Sequence, residues 1–332
     1  MKIIIPMAGM GKRMRPHTLT APKPLIQIAG KPIVQRLVET LVQSANEPVD
    51  EIAFIIGNFT EEVINNLKSI AESSGAKASF YVQSEPLGTA HALYCAAPSM
   101  DAPVIIAFAD TLFHADIRIE DKQEAVIWAS KVEDPSQFGV LLTEGKTIKG
   151  FVEKPATPIS NLAIIGIYYF RDGIALRNEI EFLLSNKIMK NGEYQLTDAL
   201  QNMLDKGVVF EHQQVEEWLD CGNKDATVYT NRRILDRSEK EQLISKSATL
   251  VNSIIVPPCY IGDGAEINNS IIGPHVSIGK ETKIENSIVT SSIIQNNTTI
   301  VNANIDNSMV GNYVEYKETY KELNIGDYTV IN

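Results

Sequence analysis

Short apolar runs alternate with amphipathic stretches from the start of the chain to about Leu235. The runs resemble buried strands, while in the stretches an apolar residue returns every three or four positions, as in helices. This alternation predicts an α/β, Rossmann-like domain with a mostly parallel sheet covered on both faces. The predicted strands are KIII, EIAFIIG, ASFYVQ, PVIIAFAD, EAVIWAS and AIIGIYYF, and the predicted helices are IVQRLVETLVQSA, TEEVINNLKSIAESS, GTAHALYCAA and LTDALQNMLDKG.

The pattern changes after the charged stretch LDRSEKEQLISKS. The following residues are rich in Asn, Ser, Gly, Ile and Val, and they show no helical period. Isoleucines often recur six residues apart, which is typical of a parallel β-helix, whereas a β-sandwich would show period-two alternation. We therefore predict an α/β domain over 1–240 and a hexapeptide-repeat, left-handed β-helix domain with a short tail over 241–332. The isoleucines in the repeat are Ile261, Ile267, Ile278, Ile284, Ile294 and Ile300.

Composition narrows the class of protein. At 332 residues the chain exceeds the size of one core, which favours two domains. A net charge of -11 argues against a nucleic-acid partner. The cysteines Cys95, Cys221 and Cys259 form no CxxC pair, as expected in a reducing cytosol. No apolar run is long enough for a membrane helix, and the first residues form a strand instead of a signal peptide. We expect a cytoplasmic protein without a membrane partner.

The first strand is followed by the unusual loop MAGMGKRMRPHTLTAPKPL. Gly9 and Gly11 let the backbone bend tightly and bring N–H groups against phosphate oxygens. Neither the Walker pattern nor GxGxxG fits the loop. A loop at this end of a sheet strand indicates phosphate binding, although spacing alone also allows a solvated basic turn. The basic side chains available are Lys12, Arg13, Arg15 and Lys23.

These residues resemble the signature of the sugar-1-phosphate nucleotidyltransferases, a glycine-rich loop ending in Arg and followed by a Pro-Lys-Pro lysine. AGMGKRM, PKPL and AGKPIVQ resemble the uridylyltransferase domain that makes UDP-N-acetylglucosamine, while EKPATPISNLAIIGIYYF and EWLDCGN resemble glucose-1-phosphate thymidylyltransferases. The resemblance covers Lys2 to about Asp225. Lys12 departs from it, since the family commonly has Thr or Ser there, which leaves that contact open.

Two carboxylates are candidates for a metal site. Asp110 ends the run VIIAFAD, so it emerges at the carboxyl end of a buried strand. Asp220 lies in WLDCGN, and either residue alone would be unremarkable as a cap or turn residue. The resemblance implies that both bind Mg²⁺, whose preferred ligands are oxygens.

The resemblance also implies the remaining contacts. Gln83 would read a pyrimidine edge, which favours UTP or dTTP, whereas a plain helix cap would explain Thr89. In EYQLTDAL, helix capping and sugar contact remain alternatives for Glu193, Thr197 and Asp198. The implied catalytic cations are Arg13, Lys23 and Lys154. The implied nucleotide-binding residues are Ala8, Gly9, Gly11, Lys12, Gln83, Gly88 and Thr89. The implied sugar-phosphate residues are Glu153, Lys154, Asn161 and Gly166.

The expected reaction transfers a nucleoside monophosphate from a pyrimidine nucleoside triphosphate to a hexose 1-phosphate, with glucose 1-phosphate favoured over N-acetylglucosamine or mannose 1-phosphate. The sugar phosphate oxygen is already anionic, so no enzyme nucleophile is required. An acetyltransferase using His275 and a non-catalytic regulatory subunit are the rival interpretations. The β-helix more readily serves homo-oligomer assembly, because its flat faces invite self-association.

Overall fold

The computed structural model describes all residues except 46, 116–118, 121, 158, 239–242, 320–321, 323, 327–328 and 331–332. The chain forms two compact units, of which the first comprises Met1–Ile26 and Lys31–Gly222 and the second Gln27–Gly30 and Asn223–Asn332. The helix that follows Gly222 packs within the second unit, and the domain boundary at 240 stays a prediction. None of the described helices combines the length and hydropathy needed to cross a membrane.

The first unit contains most of the longer elements. Its helices are α1 (Ile33–Ser44), α2 (Glu61–Ser73), α3 (Thr89–Cys95), α4 (Gly173–Ser185) and α5 (Leu196–Asp205). Its strands are β1 (Lys2–Pro6), β3 (Lys31–Pro32), β4 (Glu51–Ile56), β5 (Lys77–Val82), β6 (Val104–Ala107), β7 (Thr111–His114), β8 (Ala125–Lys131), β9 (Gly139–Glu144), β10 (Thr147–Glu153), β11 (Leu162–Phe170), β12 (Phe210–Gln214) and β13 (Glu217–Asp220), while β2 (Gln27–Ile28) belongs to the second unit. All the predicted strands and helices of this region are confirmed.

A nine-stranded sheet organises the first unit, in the order β5-β4-β1-β6-β11-β8-β12-β10-β9. The strands β5, β4, β1 and β6 are parallel, as predicted, because helices connect them. The second half of the sheet is mixed: β11 runs antiparallel to β6 and β8, and the hairpin β9–β10 adds another antiparallel pair. The apolar residues of the sheet pack against α3, α4 and α5 in one buried core.

The second unit contains the predicted β-helix. Three parallel sheets form its faces, in the orders β14-β17-β20-β23-β26, β15-β18-β21-β24 and β16-β19-β22-β25. All six isoleucines of the repeat are buried, at most 1% exposed. The strands are β14 (Thr249–Val251), β15 (Ile254–Ile255), β16 (Cys259–Ile261), β17 (Glu266–Asn268), β18 (Ile271–Ile272), β19 (Val276–Ile278), β20 (Lys283–Glu285), β21 (Ile288–Val289), β22 (Ile293–Ile294), β23 (Thr299–Val301), β24 (Asn304–Ile305), β25 (Met309–Val310) and β26 (Glu315–Lys317), and the helix α6 spans Lys224–Arg237.

Polar side chains stack from coil to coil of the β-helix. The Asn252 amide donates to Asn269 at 2.8 Å, Asn269 to Asn286 at 3.3 Å, and Asn286 to Asn302 at 3.2 Å. All four have positive φ, a conformation that Asn tolerates better than most residues. The partners lie 16 or 17 residues apart, so each turn of this β-helix is shorter than three full hexapeptides.

Candidate active site

Two neighbouring strands bring the predicted carboxylates together. β7 and β13 are antiparallel, and Asp220 is paired with Thr111, the residue after Asp110. The Cys221 N–H donates to the backbone oxygen of Asp110 at 3.0 Å. The side chain of Thr111 donates to the backbone oxygen of Ile165 at 2.8 Å, which fixes the strand to β11. Asp110 and Asp220 are therefore held at one edge of the first unit by backbone pairing.

Cations lie beside these carboxylates. Lys23 is only 7% exposed, and its Nζ donates to Asp110 Oδ2 at 2.8 Å. Burial raises the pKa of Asp220, the negative charge of Asp110 raises it further, and the Gly222 N–H, Lys23 and Arg13 counteract the rise. Arg13, Lys23 and Asp110 all act on the carboxyl of Asp220, so the structure places these two cations and both aspartates near one another.

The glycine-rich loop packs directly onto Lys23. Gly11 has φ 54°, and its carbonyl accepts a hydrogen bond from the Thr18 hydroxyl at 2.8 Å. A methyl group at Gly11 would lie 3.0 Å from Thr18 Cγ2 and 3.1 Å from Lys23 Cβ. At Gly9, by contrast, a methyl group would meet nothing within 4 Å among the described residues. Gly11 is therefore needed for packing, whereas Gly9 faces open space where a ligand can approach.

A cleft of about 290 Å³ joins these parts. It brings six of the predicted residues together, namely Gly9, Gly11, Lys12, Arg13, Lys23 and Asp110. Gly222, which the sequence reasoning missed, also lines it, and a methyl group there would lie 2.7 Å from Asp220 Oδ2. The signal for Gly222 was its place two residues after the predicted metal ligand. Ala8 lines a neighbouring cavity of about 440 Å³, together with Gly9 and Arg15.

The predicted base-reading residues form a second group. Gln83 Nε2 donates to the Gly88 carbonyl at 3.5 Å and lies 3.3 Å from His91 Nδ1. Gly88 has φ 108°, and a methyl group there would lie 2.5 Å from the backbone oxygen of Tyr194. Thr89 is not the N-cap of α3, since Gly88 is, and its hydroxyl accepts from the Leu196 N–H at 3.0 Å. Gly88 and Thr89 therefore hold the segment before α5.

The predicted sugar-binding residues gather around Glu153, at the end of β10. The Thr197 hydroxyl donates to Glu153 Oε2 at 3.3 Å. Burial raises the pKa of Glu153; Lys154 and Thr197 lower it, while Asp198 and Glu193 raise it again. Since the N-cap of α5 is Gln195, the capping alternative for Thr197 is wrong. A half-buried carboxylate with a hydroxyl partner suits the recognition of sugar hydroxyls.

The other three sugar-phosphate candidates occupy separate positions. Lys154 is exposed, has φ 43°, and donates its N–H to Phe138 at 3.0 Å. Asn161 is exposed, and its carbonyl accepts from Val132 at 3.0 Å. Gly166 has φ 85° at a register shift of β11, and its carbonyl accepts from Phe108 at 3.0 Å. None of these residues is among those that line the 290 Å³ cleft in the described part of the chain.

The donor set of the cleft suits a hard divalent cation. Within the described ranges no group of three or more His, Cys, Asp or Glu side chains gathers as a complete metal cage. Mg²⁺ does not need one, because it usually keeps several waters and binds one or two carboxylates plus substrate phosphates. Asp110, which lines the cleft, and Asp220, which lies beside it, are carboxylates that could form such a site. Burial and the charge of Asp110 raise the pKa of Asp220, and a nearby cation would counteract that rise.

Comparison with known proteins agrees with this geometry. The family model described as "Nucleotidyl transferase" matches residues 2–237, and "GlmU-like, C-terminal hexapeptide" matches 240–307. The low-salt glycan biosynthesis nucleotidyltransferase Agl11 of Haloferax volcanii is 32% identical over 75% of this chain and 71% of its own length. A glucose-1-phosphate thymidylyltransferase of Streptomyces antibioticus is 28% identical over 80% of this chain and 79% of its own. A UDP-glucose pyrophosphorylase structure with UDP-glucose is similar with a TM-score of 0.58 and 26% identity, covering 71% of this chain and 99% of its own.

Proposed function

This chain belongs to the nucleotidyl transferase family, and on that premise we propose that it transfers a nucleoside monophosphate from UTP or dTTP to glucose 1-phosphate. The observation that carries the proposal is the cleft in which Lys23 bonds Asp110 at 2.8 Å beside Asp220 and the glycine-rich loop. Such a cleft suits a polyanion with its metal ion. The family acts on sugar 1-phosphates and nucleoside triphosphates, and the particular pair is our proposal.

The reaction needs no nucleophile from the protein. An oxygen of the sugar phosphate forms a bond to the α-phosphorus while the bond from the α-phosphorus to the bridging oxygen of the β-phosphate breaks, and pyrophosphate leaves with that electron pair. The two reactants are anions: a pair of unit charges about 4 Å apart repels by about 4 kcal/mol at an effective dielectric constant of 20. The main task of the protein is therefore to hold them in line and offset their charge.

The predicted cations divide between the two substrates in this proposal. Arg13 and Lys23 hold the triphosphate, and Lys154 meets the phosphate of the incoming sugar. Asp110 and Asp220 would hold Mg²⁺, which supplies positive charge to the phosphate oxygens when it is bound. Lys23 then exchanges its carboxylate partner for a phosphate oxygen. Glu153 and Thr197 receive sugar hydroxyls, with Asn161 and Gly166 completing that side.

Three relations support the choice of substrates. Gln83 presents an amide, which can pair with the edge of a pyrimidine. The other proposed nucleotide-binding positions are Ala8, Gly9, Gly11, Lys12, Gly88 and Thr89. The Streptomyces relative is named for glucose 1-phosphate and thymidylyl transfer, and the structural relative was solved with UDP-glucose. Glucose 1-phosphate with dTTP or UTP is therefore the pair we propose.

The proposal is tested by a panel of UTP, dTTP, CTP, GTP and ATP against glucose, N-acetylglucosamine, galactose and mannose 1-phosphates, with pyrophosphate release as readout. We expect UTP or dTTP with glucose 1-phosphate to give the highest kcat/KM, and release to require Mg²⁺. A purine nucleotide clearly ahead of both pyrimidines would contradict the nucleotide assignment. Another sugar phosphate in first place would contradict the glucose assignment alone.

We also propose that the β-helix assembles copies of this chain in the cytoplasm. Ile254, Ile271 and Ile288 are paired in register on one face, and each is at least 38% exposed. Burial of such a stripe against a second copy would be favourable. Acetyl transfer has less support, because His275 is the only histidine in the sequence of the repeats and few coils follow it. Light scattering of wild type and Ile271→Glu tests the assembly, and a monomeric wild type would contradict it.

A further inference from the structure

The residues that follow the catalytic lysine belong to the other compact unit. Gln27–Gly30 is assigned to the unit of the β-helix, while Lys23 belongs to the first unit. Only three residues separate Lys23 from Gln27. Contacts that hold Gln27–Gly30 in place therefore act on a segment separated from Lys23 by only those three residues.

Polar contacts hold this segment at two positions. Gln295 Nε2, from the β-helix, donates to the Gln27 carbonyl at 3.1 Å. The Ala29 N–H donates to Asn231 Oδ1 of α6, also at 3.1 Å. Asn231 is fully buried and is itself fixed, since its Oδ1 accepts from the Ser277 hydroxyl at 2.6 Å. Buried polar groups with satisfied partners are strong positional constraints.

Packing adds a third constraint. Ile28 and Ala29 are buried, and Ala29 clusters with Leu235 and Leu243. Gly30 has φ 81°, and a methyl group there would lie 2.2 Å from Tyr260 Cζ. The backbone at Gly30 therefore lies directly against the Tyr260 ring, an approach that only glycine allows.

The stretch between Lys23 and this segment is rigid. The Ile26 N–H donates to the Lys23 carbonyl at 3.1 Å, and the Leu25 N–H to the Pro22 carbonyl at 2.9 Å. Pro22 and Pro24 fix their own φ angles. This turn could lengthen only by breaking both hydrogen bonds, so a displacement at Gln27 is passed towards Lys23.

From these contacts we infer that Gln295, Asn231 and Tyr260 are positioning residues for Lys23: the β-helix unit holds Gln27–Gly30 and thereby sets the place of the triphosphate-binding lysine. The inference rests on the proposed function, because it takes Lys23 as the triphosphate ligand. It gives the β-helix unit a direct part in the reaction besides assembly.

Kinetics of Gln295→Leu, a substitution of similar size that removes the donor, test the inference. We expect kcat/KM for the nucleoside triphosphate to fall roughly tenfold, because small misplacements of a positioned group are costly. The KM for the sugar phosphate should change by less than about twofold. The control is Thr290→Val, which removes the 2.6 Å bond from Thr290 to Asp306 elsewhere on the β-helix. It should leave both kcat/KM for the nucleoside triphosphate and KM for the sugar phosphate unchanged.

A double-mutant cycle separates positioning from a general structural effect. If Gln295 acts through Lys23, Gln295→Leu should have no further effect in a Lys23→Ala background, to within about twofold. Effects that multiply in the double variant, or a Gln295→Leu enzyme with wild-type constants, would overturn the inference.

Mass-spectrometric labelling of lysines with an acylating reagent gives a readout that needs no activity. Lys23 should be modified several-fold faster in Gln295→Leu than in wild type or Thr290→Val, while exposed Lys31 should react equally in all three. Unchanged Lys23 labelling would count against the inference. A wild type that releases no pyrophosphate from any substrate pair would refute the proposed function, and the labelling would still decide whether Gln295 positions Lys23.

Discussion

The cleft of the first unit crowds unlike charges together, whereas the β-helix of the second unit stacks identical neutral groups. In the cleft, burial and the charge of Asp110 raise the pKa of Asp220, so the ionised form is held at a cost. In the β-helix, the side chains of Asn269 and Asn286 each donate one hydrogen bond and accept another along the ladder. The contrast distinguishes the polar groups that we propose bind a ligand from those that hold the fold. Charge changes in the cleft should alter activity, and changes in the ladder should alter stability.

The largest effect is expected at Lys23. Lys23→Ala should lower kcat by roughly 10²-fold to 10³-fold, because it removes a fixed cation from the reacting phosphates. Pyrophosphate release under saturating substrates measures this. The matched control is Lys31→Ala, which removes an exposed lysine paired with Glu39 at 2.8 Å and should leave kcat unchanged. Equal losses in both variants would contradict the special place of Lys23.

Asp220→Asn should separate activity from stability. Activity should fall by roughly 10²-fold or more, since a predicted metal ligand is lost. The thermal midpoint should rise, on the order of a few °C, because the folded state disfavours the charge that is removed. Scanning calorimetry without Mg²⁺ measures this rise. A midpoint below that of wild type would show that Asp220 stabilises the fold. It would contradict the contrast between the cleft and the asparagine ladder.

Substitutions of Asn286 test whether the asparagine ladder contributes to stability and not to activity. Asn286 has φ 49°, so Asn286→Ala should cost about 1–2 kcal/mol of unfolding free energy, combining backbone strain with two lost amide contacts. Asn286→Gly should cost less, because glycine accepts positive φ without strain. Urea unfolding compares the variants. Their kcat should equal that of wild type, and a loss of activity without a loss of stability would contradict this role.

The smallest effect is expected at the amino ends of β1 and β4, where Lys2 bonds Glu51 at 3.0 Å. Burial tends to raise the pKa of Glu51, but hydrogen bonds from Ser79, Ser99 and Lys2 outweigh it and hold the pKa below 4.5. A lowered carboxyl pKa stabilises the fold at higher pH, and this contribution disappears as the pH falls below 4.5 through the folded-state pKa. Glu51→Gln should therefore be less stable than wild type at pH 7, and the difference should vanish in acid. A difference independent of pH would contradict the ionic origin.

Repetition made most of the fold predictable from the sequence. The six-residue spacing of Ile261 and Ile267 predicts the β-helix because every coil reuses the same inward position. The helix α4 was missed, since its exposed Ile174 and Phe182 blur the contrast between its buried and solvated sides. The mixed half of the sheet was missed as well, because strand direction depends on pairing that no local pattern encodes.

The candidate site shows the same difference between features that a local motif encodes and features that depend on contacts between distant residues. Local motifs predicted Gly9, Gly11 and Lys23, whose neighbours in the chain shape the loop. Contacts between distant residues were out of reach: Ala29 and Asn231 are 202 positions apart, and no periodicity links them. Gly222 could have been predicted only from its position two residues after Asp220 in the sequence.

We propose that one cleft holds the metal and the triphosphate through Asp110, Asp220 and Lys23. A crystal structure with Mn²⁺ and a nonhydrolysable analogue of UTP, read by anomalous scattering, tests it most directly. We predict the manganese peak in contact with both aspartates and Lys23 Nζ moved from Asp110 to a phosphate oxygen. Manganese bound away from these carboxylates, or a triphosphate with Lys23 still on Asp110, would contradict the claim.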